Sequence, residues 1–275
     1  MPVRVDGSLR RFGKDEFHSR CRAAVGAAFG LHNEAGNLLD EHQYQEGLAG
    51  QLRGLNFEAR REVGITVQFG KFERIYRLDV LIDQGVIVEA KVVAKLSREH
   101  ERQLLNYLFL CDLSDGLLLN FGSESVHKRF VSTHLRAADR RLNHVDTEAF
   151  HPATSSCERL ITFAAAVIED FGTRLNRALY IDAIIDNLDT SDALPIRRPI
   201  VVRRGATPLG KKTLPCLSNQ VAFAFTTFLG DDHHTETHLR RLLSMTSLER
   251  IHWLNLGAND LTIRTVRTAR ASIRH

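Results

Sequence analysis

Asp79, Glu89 and Lys91 are the residues whose types and spacing could do chemistry together. Asp79 and Glu89 stand at equal distances in sequence from Gln84. If the chain turns back at residues 83–85, the two carboxylates become cross-strand neighbours, with Cβ atoms about 4.5–5.5 Å apart. Lys91 lies two residues beyond Glu89 and points to the same face. The alternate positions Leu78, Val80, Ile82, Val86, Val88, Ala90 and Val92 are apolar, which makes the opposite face core. Like charges directly opposite each other destabilise a hairpin, and buried charges need partners. A hard divalent cation, Mg²⁺ or Mn²⁺, bound through one or two carboxylates with its waters retained, would resolve that repulsion. Lys91 could then orient or deprotonate a water, or hold a phosphate oxygen. That is the apparatus of metal-assisted phosphodiester hydrolysis. The plain alternative is a surface ion-pair network, and spacing alone leaves both open.

The surrounding pattern supplies elements to position these groups. A first helix begins near residue 15, with Phe17, Cys21, Val25 and Phe29 at helical spacing, and Gly36 breaks it. A second runs from about 38 to 52 with Tyr44, Leu48 and Leu52 on one stripe, and Gly54 ends it. Glu41 and Tyr44 share a face of that helix. Residues 63–69 read as a strand, 74–82 and 86–93 as a hairpin, 98–110 as a helix and 116–120 as a buried strand. Gln103 falls on the helix after the hairpin. His32 and His100 are lone histidines and read as structural.

In this order the chain resembles the GxxExxY family of the PD-(D/E)XK nuclease-like superfamily over residues 17–131. The segments that carry the resemblance are 31–36, 39–48 with Glu41 and Tyr44, 76–79 ending in Asp79, 86–91 with Glu89 and Lys91, 100–108 with Gln103 and Tyr107, and 119–122. The resemblance implies a central mixed sheet flanked by helices. It makes Asp79, Glu89 and Lys91 the core motif, with Glu41 contributed by the preceding helix and Gln103 as a polar supporting residue. It also implies a Mg²⁺ or Mn²⁺ cofactor and a nucleic-acid substrate. Two positions depart from the pattern. Leu38 stands where the name motif has glycine, and Leu78 precedes Asp79 where proline is common.

The second half repeats landmarks of the first. Gly36 and Tyr44 return as Gly172 and Tyr180, and Leu119, Asn120 and Gly122 as Leu254, Asn255 and Gly257. This near-constant offset predicts an internal duplication. Residues 132–157 are polar and mark the boundary. After them a helix opened by Phe171-Gly172 is expected to end near 188, followed by basic strands around 196–204, a hairpin-like pair around 212–228, a helix over 236–246 and a strand over 250–255. The fold class is therefore α/β: two tandem PD-(D/E)XK-like domains, each a central mixed sheet with a β-hairpin flanked by helices, arranged as a pseudo-dimer. The domains are 1–150, with the intact site, and 151–275, a degenerate repeat. Aligned at the Gly–Tyr offset, Asp79 falls on Pro215, Glu89 on Phe225, Lys91 on Thr227 and Glu41 on Arg177, so no carboxylate remains. Arg197, Arg198, Arg203, Arg204, Lys211 and Lys212 cluster without an acidic neighbour in the same segment. They read either as a nucleic-acid grip or as a solubilising edge.

Composition is that of a globular protein: 43% hydrophobic and 25% charged residues over 275 positions, enough for two cores. A net charge of +4 permits a polyanionic partner without demanding one. Cys21, Cys111, Cys157 and Cys216 form no CxxC pair, which reads as reduced structural thiols in a cytoplasmic protein. The apolar stretch 23–31 follows acidic Asp15 and Glu16 and reads as a packed helix rather than a leader. No apolar run approaches the roughly 20 residues of a membrane span. The expected function is a Mg²⁺-dependent nuclease acting on DNA, monomeric with an internal pseudo-twofold, a homodimer remaining open. The alternative is a non-catalytic nucleic-acid-binding or scaffold protein that retains the fold.

Overall fold

The computed structural model describes residues 3–188, 197–230 and 233–268. Contacts divide them into two compact units: residues 3–68 with 73–139, and residues 140–268 with the short stretch 69–72. No helix among the described residues is long and apolar enough to cross a membrane.

The first unit is a six-stranded mixed sheet between helices. Its elements are β1 (Val3–Val5), α1 (Lys14–Ala35), α2 (Glu41–Gly54), β2 (Ala59–Phe69), β3 (Phe72–Ile82), β4 (Val86–Lys91), α3 (Arg98–Cys111), β5 (Asp115–Asn120) and β6 (His127–Ser132). Spatial order follows sequence order from β1 to β6. β4 and β5 are parallel, with α3 as the crossover between them, and β5–β6 is antiparallel. Phe17, Cys21, Ala24 and Ala28 of α1 and Tyr44, Leu48 and Leu52 of α2 bury against Val80, Ile82, Val86, Val88 and Ala90. The small residues of α1 let the helix come close. α3 lies against β5, where a Cβ on Gly116 would stand 2.9 Å from Leu104.

The hairpin register is the one centred on Gln84: Val80 faces Val88, Leu81 faces Ile87 and Ile82 faces Val86. Asp83 and Gln84 hold left-handed φ values of 47° and 63° without the usual Asn-Gly pair. Tertiary contacts supply what the turn sequence lacks. The Asp83 carboxylate accepts the Glu58 N–H at 2.9 Å and pairs with Arg20 at 2.8 Å. The Arg10 N–H donates to the Gln84 carbonyl at 2.8 Å. A Cβ on Gly85 would fall 2.2 Å from the Arg10 carbonyl, so this chain crossing requires glycine.

The second unit contains β7 (His144–Asp146), α4 (Ser155–Phe171), α5 (Arg177–Asn187), β8 (Arg197–Arg204), β9 (Thr207–Pro215), β10 (Val221–Thr226), α6 (His233–Ser244), β11 (Arg250–Leu256) and β12 (Asp260–Arg267). Its main sheet has the order β10-β11-β12-β7, and β8–β9 is a separate two-stranded sheet. Three expectations change here. The helix expected to open at Phe171-Gly172 is instead two helices that meet there, because Cys157, Leu160, Ala164, Val167 and Ile168 already form a buried stripe before it. The pairing expected around 212–228 is not a hairpin: β9 pairs back onto β8, and β10 runs parallel to β11. The hairpin is therefore no part of the central sheet. β9 ends at Pro215, which has no N–H to donate, and a single bridge, Cys216 to Ala222, joins this stretch to β10. The expected start of the basic strands, residue 196, lies outside the described residues.

Two local clasps occur in both units with the same chemistry. The Tyr44 hydroxyl donates to the Gly36 carbonyl at 2.5 Å, and the Tyr180 hydroxyl donates to the Gly172 carbonyl at 2.6 Å. The Asn120 side chain accepts from the Val93 N–H at 3.0 Å and donates to its carbonyl at 2.8 Å. The Asn255 side chain does the same to Phe228, at 3.0 and 3.3 Å. Lys91 pairs with Asn120 across β4–β5, as Thr226 pairs with Asn255 across β10–β11. Two residues before Thr226 on β10 stands Ala224, as Glu89 stands two residues before Lys91 on β4. β10 contains no acid.

Candidate active site

β3 and β4 bring Asp79, Glu89 and Lys91 to one face at the ends of well-buried strands. Asp79 is 8% exposed, Glu89 0% and Lys91 9%. The regular pairing stops at Val80–Val88. Beyond it the Asp79 carboxylate takes the Ala90 N–H at 2.8 Å, which locks the side chain toward β4. Glu41 reaches the same place from the first turn of α2, a helix started by Asp40, whose N–H donates to Gln43 at 2.8 Å.

The Lys91 ammonium sits among the carboxylates, 2.7 Å from Glu89, 3.3 Å from Glu41 and 3.9 Å from Asp79. The Glu89 carboxylate is fully buried, and Lys91 is its charge partner. Burial, reinforced by Asp79, pushes the Glu89 carboxyl up to about 8 in spite of Lys91. Burial likewise raises Asp79, to about 6, against the opposing pull of Lys91 and the Ala90 N–H. Burial by itself would lower Lys91. Glu89, Asp79 and Glu41 together outweigh it and hold the ammonium well above its usual range.

These side chains do not form a ready cage of carboxylates. Among the described residues no three His, Cys, Asp or Glu side chains converge as a metal site. Lys91 takes the central place instead, since an ammonium is the nearest counter-charge the chain itself can offer. The donors still suit a hard cation. Glu89 is a fully buried oxygen donor, and Mg²⁺ needs only one or two carboxylates beside its waters. Asp79 and Glu89 would hold it, with Glu41 at the more exposed rim.

Gln103 lies on α3 and donates to the Tyr107 hydroxyl at 3.1 Å. Burial, with Glu89 next in weight, raises Tyr107 to about 12, so its ring lies within the field of the site. Sequence reasoning does not single out Tyr107 as a site residue, although it follows Gln103 by one helical turn. Glu62 escapes it for a different reason. It raises Asp79 electrostatically from within β2, where it holds a left-handed φ of 50°, and nothing in its sequence neighbourhood signals this. The lone histidines have local roles. His32 contacts the Ser123 carbonyl at 3.0 Å, and His100 accepts the Ser97 N–H at 3.1 Å at the start of α3.

The six basic candidates lie in the second unit, on β8 and β9. Arg197 pairs with Asp182, and Arg198 donates to the Asn219 side chain at 2.6 Å. Arg203, Arg204, Lys211 and Lys212 are exposed.

Comparison with known families finds a likeness, and it is confined to the first unit. Residues 18–132 match the family model of the PD-(D/E)XK nuclease superfamily. The matched segment contains Glu41, Asp79, Glu89, Lys91 and Gln103 and stops before the second unit. No curated protein and no solved structure matches the chain.

Proposed function

We propose that the first unit is a Mg²⁺- or Mn²⁺-dependent nuclease of the GxxExxY type that hydrolyses phosphodiester bonds in DNA. The observation that carries this reading is Glu89: fully buried, with the Lys91 ammonium 2.7 Å away as its partner, inside a segment that matches a nuclease superfamily. When bound, the metal would polarise the scissile phosphate and lower the pKa of a water. Asp79 and Glu89 supply its anionic ligands. Asp79 is already fixed by the Ala90 N–H, and Lys91 must give up the central place to the cation. With the carboxylates occupied, Lys91 is free to hold a phosphate oxygen or orient the attacking water. Gln103 and Tyr107 hold the α3 side of the site. The test is incubation of the full chain with labelled single-stranded, duplex and branched DNA plus Mn²⁺. Cleavage should disappear in Asp79→Asn and Lys91→Ala. A wild type that neither cleaves nor binds Mn²⁺ in an Asp79-dependent way would establish the alternative, a scaffold that keeps the fold.

We read the second unit as a degenerate copy of the first and the two as a pseudo-dimer, with the domain boundary expected at 150 moved back to 139, because β7 pairs with β12. The paired tyrosine and asparagine clasps support this, as do the parallel β4–β5 and β10–β11 pairs with a helix between. The reading requires that residues 153–266 superpose on 17–131 with Tyr180 on Tyr44 and Asn255 on Asn120. In this copy Ala224 and Thr226 replace the glutamate and lysine, so it holds no metal and is left to pack or to grip.

A further inference from the structure

We infer that the β8–β9 hairpin is a ribbon that enters the major groove of duplex DNA. The inference stands on the ribbon alone and not on the nuclease reading. An isolated two-stranded sheet is at best marginally stable in water, so one that stands outside the main sheet calls for an explanation. At its base this ribbon is anchored. Ile200 is buried with Cys216, Leu243, Leu248 and Trp253, and Leu214 packs against the same cluster. The Arg203 N–H donates to the Met245 carbonyl at 2.7 Å, just past the bulge between Val202 and Arg203. Every residue from 203 to 213 is exposed, including Lys211 to Thr213, which lie across from the anchored part of β8.

The exposed part carries Arg203, Arg204, Lys211 and Lys212, and the whole stretch from 197 to 215 contains no acid. None of these four pairs with a carboxylate among the described residues. The Arg203 guanidinium contacts only the Ala206 carbonyl, at 3.4 Å. The cations come as two consecutive pairs, and successive strand residues point to opposite faces. Lys211 lies opposite Val201 and Lys212 opposite Ile200, so the two lysines stand on opposite faces, Lys212 exposed on the face by which Ile200 anchors the ribbon. A ribbon lying flat on an anionic surface would need its charge on one face only. Cations on both faces fit a slot with two anionic walls. The major groove of B-form DNA is such a slot: it is about 12 Å wide, admits a two-stranded ribbon and is walled by phosphates. Single strands have no second wall, and the major groove of A-form RNA is too deep and narrow for side chains.

The test measures binding of the full chain in EDTA, where metal-dependent cleavage is off, to one sequence as duplex DNA, single-stranded DNA and duplex RNA. Tightest binding to duplex DNA is expected. Each phosphate neutralised contributes about −0.9 to the slope of log K against log salt. The variant Arg203→Ala/Arg204→Ala/Lys211→Ala/Lys212→Ala should therefore show a slope shallower by about 3–4 and bind duplex DNA at least about tenfold more weakly. Arg203→Lys/Arg204→Lys should keep the slope, which separates charge from folding. The inference is overturned if the alanine variant keeps the wild-type slope, if the lysine variant loses it as fully as the alanine one, or if single strands or duplex RNA bind as tightly as duplex DNA. None of these outcomes bears on cleavage, whose failure would show in the wild type with Mn²⁺.

Discussion

Replacing Glu89 by glutamine should make the metal-free first unit more stable at alkaline pH, and the effect can be worked from its surroundings. Burial and Asp79 raise the Glu89 carboxyl from 4.5 to about 8. The folded state therefore keeps a proton that the unfolded state has already lost, and stability falls as pH rises. The stabilisation is complete below about 4.5 and gone above about 8. Between pH 6.5 and 8.5 Asp79, at about 6, is largely ionised in both states, so Glu89 dominates the site's titration. At about 1.4 kcal/mol per pH unit, integration of its protonation over that window gives a loss of roughly 2 kcal/mol in the wild type. A glutamine in its place cannot titrate, so the stability difference between variant and wild type should grow by about 2 kcal/mol across the window. The assay is urea denaturation in EDTA followed by far-UV circular dichroism. Fluorescence will not report the first unit, because the single tryptophan is Trp253. Saturating Mg²⁺ should then reverse the order, adding about 2.7 kcal/mol to the wild type at a hundred times Kd and nothing to the variant. Parallel stability profiles for the two proteins from pH 6.5 to 8.5 would refute the reasoning, for Glu89 would then not be a strained, buried acid.

Further outcomes follow from the same contacts. Tyr44→Phe and Tyr180→Phe each remove a hydroxyl bonded to a glycine carbonyl. Each should destabilise its own unit by about 1–2 kcal/mol in denaturation. Asn120→Ala frees the Val93 N–H and carbonyl that follow Lys91, and should speed hydrogen exchange at Val93 and lower cleavage without unfolding the sheet. His252 is buried against Phe150 and Thr265, and burial followed by Arg250 and Arg267 lowers it from 6.5 to about 4. It stays neutral in the folded state, so the second unit should lose about 3 kcal/mol as pH falls from 6.5 to 4, read by Trp253 fluorescence. His252→Gln should remove that dependence.

The parts of this architecture legible in the sequence are those where burial imposes a period. In the hairpin, alternation from Leu78 to Ala90 and a centre at Gln84 fix both the register and the face of each charge. Gly36, with φ of 67°, marks a helix end because few other residues adopt that backbone, whereas Gly172, with φ of 77°, ends α4 where the sequence reads as opening a helix. What escaped depended on contacts distant in sequence. The hairpin turn looks ordinary as Asp83-Gln84 and is held by Arg10, Arg20 and Glu58. The separation of β8–β9 from the main sheet depends on where β9 stops, and strand periodicity is the same in either arrangement. The ammonium at the centre of the site could be placed near the carboxylates but not among them, since strand alternation says nothing about how far a flexible side chain reaches.

The two units show which interactions stand by themselves and which need something else. The tyrosine and asparagine clasps are neutral hydrogen bonds to otherwise unpaired backbone groups, and they stabilise whichever unit contains them. Glu89 behaves differently. It lowers the stability of its own unit at neutral pH, because a fully buried carboxylate must either keep a proton or lean on Lys91. In the second unit a parallel strand pair with an asparagine clasp stands on Ala224 and Thr226, without any such charge. The cost of burying Glu89 is what the proposed cation would relieve, and the lysine beside it is what the proposed phosphate would meet.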